Sequence, residues 1–202
     1  LTDPRLPDTE LDFYGDGTEI GAGTDPRNPD TDADALLDGW EVFVAGSSPL
    51  LVDTDLGGRP DGMEEWNFFD PTVAADDGVP LPGGDVDGDL LGGAAETSWG
   101  TPPAVSNADG DLFPITAAPF TDLYEVGYII GVFGAPSSLT VDVDGDSIRD
   151  PEEVFRGADG YVTFAHVFST DGDGRFDGLE ISPTSFGSPV YSHPRYADTD
   201  RD

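Results

Sequence analysis

The chain has 202 residues, with 42 Asp and Glu against 8 basic residues, a formal net charge of −34, 27 Gly, 18 Pro and no Cys. The absence of cysteine excludes disulfide frameworks and zinc–thiolate sites, and so anionic a chain is not a nucleic-acid binder. Gly and Pro above a fifth of the chain would by themselves indicate disorder, yet 12 Phe, 6 Tyr and 3 Trp are too many aromatics for a solvated acidic tail. A chain that keeps its aromatics while repelling itself needs counter-cations. Every basic residue is Arg, no apolar run approaches the roughly 20 residues of a membrane span, and no signal peptide is visible.

Taken in order, the acids repeat. Asp8, Glu10, Asp12, Asp16 and Glu19 occupy places 1, 3, 5, 9 and 12 of a twelve-residue loop. A hard cation takes six to eight oxygens at about 2.3–2.6 Å, and a tightly wound loop turns alternate side chains towards one centre. The cleanest copy follows at Asp30, Asp32, Asp34, Asp38 and Glu41, with the Leu36 carbonyl at place 7 and the turn formers Asp25-Pro26 and Asn28-Pro29 before it. A third loop begins at Asp53 with Asp55, Asp61 and Glu64 in place but Gly57 at place 5; those three ligands and the Arg59 carbonyl could still bind, with waters completing the shell. A fourth has Asp85, Asp87, Asp89 and Glu96, with Gly93 at place 9, a place often bridged by water.

The fifth loop starts with Asn107, Asp109 and Asp111 and finds Ala118 where its twelfth ligand is due, so that Asp122 or Glu125 would close it after an insertion. The sixth is complete: Asp142, Asp144, Asp146, Asp150 and Glu153. The seventh has Ser169 as a weak first ligand, then Asp171, Asp173, Asp177 and Glu180, and a last run, Asp198, Asp200 and Asp202, fills places 1, 3 and 5. A chain that starts in a lead-in and stops inside a loop is expected to continue in a longer array or a polymer.

Two segments fall outside the repeat. Residues 112–141 are rich in Phe, Tyr, Ile and Val, and YVTFAHVF at 161–168 alternates with β-branched and aromatic types. The latter predicts a strand, and GYIIGVFG (127–134) and LTVDV (139–143) fit strands better than helices. After several of the loops the closing Glu begins a short apolar pattern in which a helical turn or two is expected, as over Trp40, Val42, Phe43 and Val44, ended by Gly46. The expected fold is mostly irregular, a tandem calcium-loop array with short helical turns and a few short strands within 112–168. Its divisions are 1–111 (repeats), 112–141 (apolar insertion or packing segment) and 142–202 (further repeats).

The repeats resemble thrombospondin type 3 calcium-binding repeats of the prokaryotic surface type. The matching residues are Asp25-Pro26-Arg27-Asn28-Pro29-Asp30-Thr31-Asp32 with Asp38-Gly39-Trp40-Glu41, Asp53-Thr54-Asp55 with Asp61-Gly62, Asp142 to Glu153, and Asp171 to Glu180. The resemblance covers residues 1–100 and 136–202. It implies little regular secondary structure and a chain wrapped around a line of calcium ions. Departures are Ala35 where glycine is usual, Gly57 at a ligand place, and the missing ligand at Ala118. A solvated, salt-adapted surface would scatter its carboxylates; it would not space them alike in several loops behind turn-forming prolines.

The function expected is that of an extracellular or cell-surface structural protein, its fold held by about six or seven Ca2+ ions, self-associating into a surface filament or matrix. With dissociation constants of about 0.1 mM and roughly millimolar free calcium, each site adds about 1.4 kcal/mol, so the chain should be folded with metal and disordered without it. The alternative is a calcium-dependent adhesion or carbohydrate-binding module with the apolar middle as its face. Trp40, Trp66 and Trp99 then stack on sugars rather than cap the loops. No N-x-Ser/Thr sequon occurs, so any glycan would sit on Ser or Thr. Enzymatic activity is not expected: His166 and His193 have no ligand-spaced partner, and neither G-x-S-x-G nor a phosphate loop is present.

Overall fold

The computed structural model describes residues 2, 4–114, 116–134, 140–155, 161–181 and 192–197. Seven short helices each begin at place 9 of a loop: α1 (Asp16–Ala22), α2 (Asp38–Trp40), α3 (Asp61–Trp66), α4 (Gly93–Trp99), α5 (Asp122–Glu125), α7 (Asp150–Val154) and α8 (Asp177–Ile181). The residue before each of α1 to α5 and α7 is extended, and the acids at places 9 and 12 fall in the first turn, where the helix dipole favours negative charge. A π-helical turn, Glu41–Ala45, prolongs α2; another, Val126–Ile130, joins α5 to α6 (Gly131–Phe133). Left-handed glycines stop several of these, Gly23 (φ 99°), Gly46 (φ 80°) and Gly100 (φ 92°) among them. The low regular content matches the expectation.

The strands do not. Among the described residues the only β pairing is an isolated antiparallel bridge, Leu112 with Pro119. GYIIGVFG is helical, in the π turn and α6, because Asp122 and Glu125 start a helix immediately before it. A helix apolar on all sides belongs in a core, and periodicity alone cannot tell such a run from a buried strand. YVTFAHVF is irregular: its backbone pairs with Glu153 O (from Thr163 N, 3.1 Å) and Thr170 Oγ1 (from Phe164 N, 2.9 Å) rather than with a neighbouring strand. Of LTVDV, Leu139 lies outside the described residues and the rest forms the entry to the sixth loop.

The helix running from α5 through α6 is the hub. One flank joins Ala35, Leu36, Trp66, Leu91 and Ala95 through Leu123, Val126 and Ile130, and the other joins Leu37, Phe120 and Ala165 through Tyr128 and Ile129. It approaches very closely. A Cβ on Gly127 would lie 2.2 Å from the Ala35 carbonyl oxygen, and one on Gly131 would lie 2.3 Å from the Trp66 ring. Tyr128, buried, donates its hydroxyl to Asp30 Oδ2 at 2.5 Å, tying the hub to the first ligand place of the second loop.

Successive repeats are further linked by their tryptophans. Ring centroids are 5.5 Å apart for Trp40 and Trp66 and 5.9 Å for Trp66 and Trp99. Their indole N–H groups donate to Glu65 Oε1 (Trp40, 3.1 Å), Ala35 O (Trp66, 3.0 Å) and Trp66 O (Trp99, 2.9 Å). The residues inserted in the fifth loop are pinched off by Phe113 N to Ala118 O (2.9 Å), which sends Phe113 and Phe120 into an aromatic group with Tyr124, Tyr128 and Phe155. Far along the chain, the Arg195 guanidinium donates to Asp8 O (2.6 Å) and to Thr9 O, while Arg5 lies 4.6 Å over the Tyr196 ring. The last described segment is thus seated on the first loop.

Candidate metal centres

Each loop is wound by its own first side chain. Asp30 accepts from Ala33 N (Oδ1, 2.7 Å) and Ala35 N (Oδ2, 3.0 Å), and the same pair of bonds recurs from Leu11 and Phe13 to Asp8, Gly88 and Leu90 to Asp85, and Gly145 and Ser147 to Asp142. These bonds require places 4 and 6 to be left-handed. Ala33 (φ 65°), Ala35 (φ 75°), Leu11 (φ 67°) and Phe13 (φ 75°) accept that conformation without being glycine.

The loop is closed at place 9. There the backbone N–H donates to the carbonyl preceding place 1, from Asp16 to Pro7, Asp38 to Pro29, Asp61 to Val52, Gly93 to Gly84, Asp122 to Ser106, Asp150 to Val141 and Asp177 to Phe168. The place-9 carboxylate accepts in return from the N–H of place 2. Where place 2 is threonine, as at Thr9, Thr31, Thr54 and Thr170, its hydroxyl donates as well, at 2.6–2.7 Å. These threonines carry no ligand spacing; what they share in the sequence is only a place between the first residue of a loop and the acid at place 3, as D-T-E at Thr9, D-T-D at Thr31 and Thr54, and S-T-D at Thr170.

With their outer oxygens held, the carboxylates converge. Within 4.8 Å of one another lie ligand oxygens of Asp8, Glu10 and Asp16; of Glu10, Asp12 and Glu19; of Asp30, Asp32 and Asp34; of Asp34, Glu41 and Asp61; and of Asp55, Glu64 and Asp77. The closing glutamates Glu19, Glu41, Glu64, Glu96, Glu125, Glu153 and Glu180 are at most 2 % exposed. Both carboxylate oxygens of Glu10, Glu64, Glu96, Asp32, Asp87 and Asp111 are buried without a hydrogen-bond partner, as is one oxygen each of Asp53, Asp109, Asp144 and Asp171. Burial, then the neighbouring carboxylates, pushes Glu41, Glu125 and Glu153 up to about 10 and Asp34 to about 9; Glu10, Asp12 and Glu64 move the same way.

The described arginines relieve only part of this: Arg149 draws Asp111 down and Arg195 draws Asp8 down, each less than burial raises it. Arg27 pairs with Asp25 at the surface, Arg175 donates to Ser192 Oγ, and Arg59 and Arg195 donate to backbone carbonyls. Isolated buried carboxylates cost several kcal/mol each unless paired or bound to metal. The all-oxygen donor sets of the five clusters named suit a hard divalent cation.

Loops also dock on one another. Gly39 N donates to Asp12 Oδ2 (3.2 Å), Gly62 N to Asp34 Oδ2 (3.1 Å) and Gly178 N to Asp146 Oδ2 (3.0 Å). At these three glycines, all at place 10, a Cβ would come within 2.1–2.3 Å of the preceding loop's place-5 carbonyl oxygen. That contact puts Asp61 of the third loop against Asp34 and Glu41 of the second.

Two sites differ from the strict spacing. In the fifth loop Asp122 N bonds Ser106 O and Asp122 Oδ1 accepts from Ala108 N (3.0 Å), as a place-9 residue does in the other loops, and Glu125 stands three residues on, as closing glutamates do. Both residues, not one, complete that loop, and Ala118 has no part in it. Their signal was D-x-x-E at the start of a helix. In the third loop, Asp77 lies beside Gly57, and no spacing announced it. Asp173 Oδ1 accepts from Arg175 N (2.7 Å) in the seventh loop, whose first place, Ser169, accepts from Gly174 N (3.2 Å). Asp89 Oδ1 likewise accepts from Leu91 N (2.9 Å). Asp198, Asp200 and Asp202 lie outside the described residues.

No family model and no curated protein matches the chain. Two solved structures share a short stretch with it. The "Biofilm associated protein - B domain" is 40% identical over 22% of this chain and 11% of its own, with a TM-score of 0.21. The "Biofilm associated protein - BSP domain" is 40% identical over 21% of this chain and 7% of its own, with a TM-score of 0.20. The chain therefore spans a small part of those proteins, and the likeness is of a segment rather than of the architecture.

Proposed function

We propose that this is an extracellular structural module whose fold is held by Ca2+ bound in seven described loops, built like thrombospondin type 3 repeats and working as a unit of a surface filament or matrix. One observation carries the reading: each of the seven described loops closes on a buried glutamate set among other carboxylates, whose charges add to the cost of its burial. Calcium accepts the flexible, carboxylate-rich shells that loops of this kind offer, and extracellular calcium is high enough to fill sites with dissociation constants of about 10⁻⁴–10⁻³ M. A structural rather than catalytic role fits the histidines: His166 stacks on Phe133 with ring centroids 4.1 Å apart. A glycan-binding face made by the apolar middle is disfavoured, because Leu123, Val126, Tyr128, Ile129 and Ile130 are buried.

The test is calcium titration of metal-free protein, followed by far-UV circular dichroism, tryptophan fluorescence and an ion count from native mass spectrometry. Several ions should bind and protease resistance should appear with them; a chain equally folded and resistant in excess chelator contradicts the reading. Electron microscopy at high protein concentration examines the filament separately. Calcium-dependent fibres are the expected result, and monodisperse particles count against that part alone.

A further inference from the structure

We propose that Asp77, from the connection after the third loop, is the missing fifth-place ligand of that loop, so that one divalent cation is held jointly by Asp53, Asp55, Glu64 and Asp77. This rests on reading the loops as calcium sites. By spacing alone, the third loop is the defective copy, with Gly57 where the other loops carry an acid. The structure gives the glycine a purpose. A Cβ on Gly57 would lie 1.5 Å from Asp77 Oδ2, so any other residue there would expel that carboxylate.

Asp77 is turned inward. Its ligand oxygen and those of Asp55 and Glu64 lie within 4.8 Å of one another, and both of its oxygens are buried without a hydrogen-bond partner. Glu64, 0 % exposed, aims two unpartnered oxygens into the same space. Among the described residues, the charges that act most on Glu64 and Asp55 are other carboxylates and no guanidinium. Arg59, the nearby cation, instead donates to the carbonyls of Asp76 (3.5 Å) and Val79 and lies 5.0 Å over the Phe69 ring. Arg59 thus fastens both sides of the connection that carries Asp77, leaving the carboxylates for a cation. The place-5 function passes from a residue within the loop to one twenty positions later than Gly57, and cation binding clasps the 69–79 connection onto the array.

The full-length chain and Ca2+ alone are enough to test this. Native mass spectrometry counts bound ions, calorimetry measures their affinity, and limited proteolysis reads the 69–79 connection. Asp77→Ala should lose one ion, or weaken one site at least about tenfold, and should expose 69–79 to protease even in calcium; Asp77→Asn, which keeps the size, should do the same. The double variant Gly57→Asp/Asp77→Ala should regain the ion, now held within the loop, while 69–79 stays cleavable. Asp77→Ala binding as many ions with unchanged affinity overturns the proposal, as does a folded double variant that fails to regain the ion. A wild-type chain that binds no calcium removes the wider reading as well, so the two failures are distinct.

Discussion

Ala33 and Ala35 are held with positive φ so that their amides can reach the Asp30 carboxylate. An L-residue in the left-handed region costs roughly 1–2 kcal/mol, partly offset by the smaller freedom it surrenders on folding compared with glycine. Ala35 is buried against the hub, but Ala33 is exposed and its methyl is not part of the core. Ala33→Gly should therefore raise the stability of the calcium-loaded chain by about 0.5–1 kcal/mol, read as a shift of the denaturant midpoint; a loss of stability would show that the left-handed geometry is not the limiting cost. The clustering of the acids was legible because a tight loop turns alternate side chains towards one centre. The position-2 threonines and Asp77 were not, since a hydroxyl that braces a carboxylate and a ligand arriving from another segment leave no periodicity.

Between elements, the governing contact is a helix start laid on the preceding loop. Gly39 occupies that contact, with a would-be Cβ 2.1 Å from Asp12 O, whereas Gly17 holds the same place in α1 with nothing within 4 Å. Gly39→Ala should destabilise by about 3 kcal/mol through overpacking, while Gly17→Ala, on an exposed helical site, should be neutral or stabilising by up to about 1 kcal/mol. Equal effects of the two, measured by equilibrium unfolding in calcium, would refute loop-on-loop docking. That short helical turns accompany the loops was readable from the closing Glu, and the stop at Gly46 with it; the helices nevertheless begin three residues earlier, at place 9, where the chain leaves the loop. The 127–134 run was misread because its apolar residues, with no polar face, have no distinguishing period; only the distant loop entry at Asn107–Asp111 marks Asp122 as a helix start. The 161–168 run alternates like a strand but packs by side chains such as Val162 and Ala165 without a strand to pair with.

For the molecule as a whole, the sign of the pH dependence follows from the carboxylates. Without metal, Glu41, Glu125 and Glu153 titrate near 10 in the folded chain against an ordinary 4.5. The folded state then binds protons more tightly than the unfolded one, so metal-free stability is greatest below about pH 4.5 and falls as pH rises towards 10. Metal-free protein should accordingly be best folded in mild acid and lose its helical signal on neutralisation, while calcium restores it at neutral pH and is itself displaced by protons on acidification. Stability of the metal-free chain that increases between pH 5 and 8 would contradict this. The Arg195 clasp on the carbonyls of Asp8 and Thr9 bears on how such a chain carries load. A pull entering near residue 5 and leaving near 195 meets that clasp, on the first loop, before it reaches the loops between, so tension is first borne at one contact rather than by unwinding repeats in series. Only after the clasp yields does extension pass to the loops between, which makes the guanidinium a mechanical latch for the array behind it.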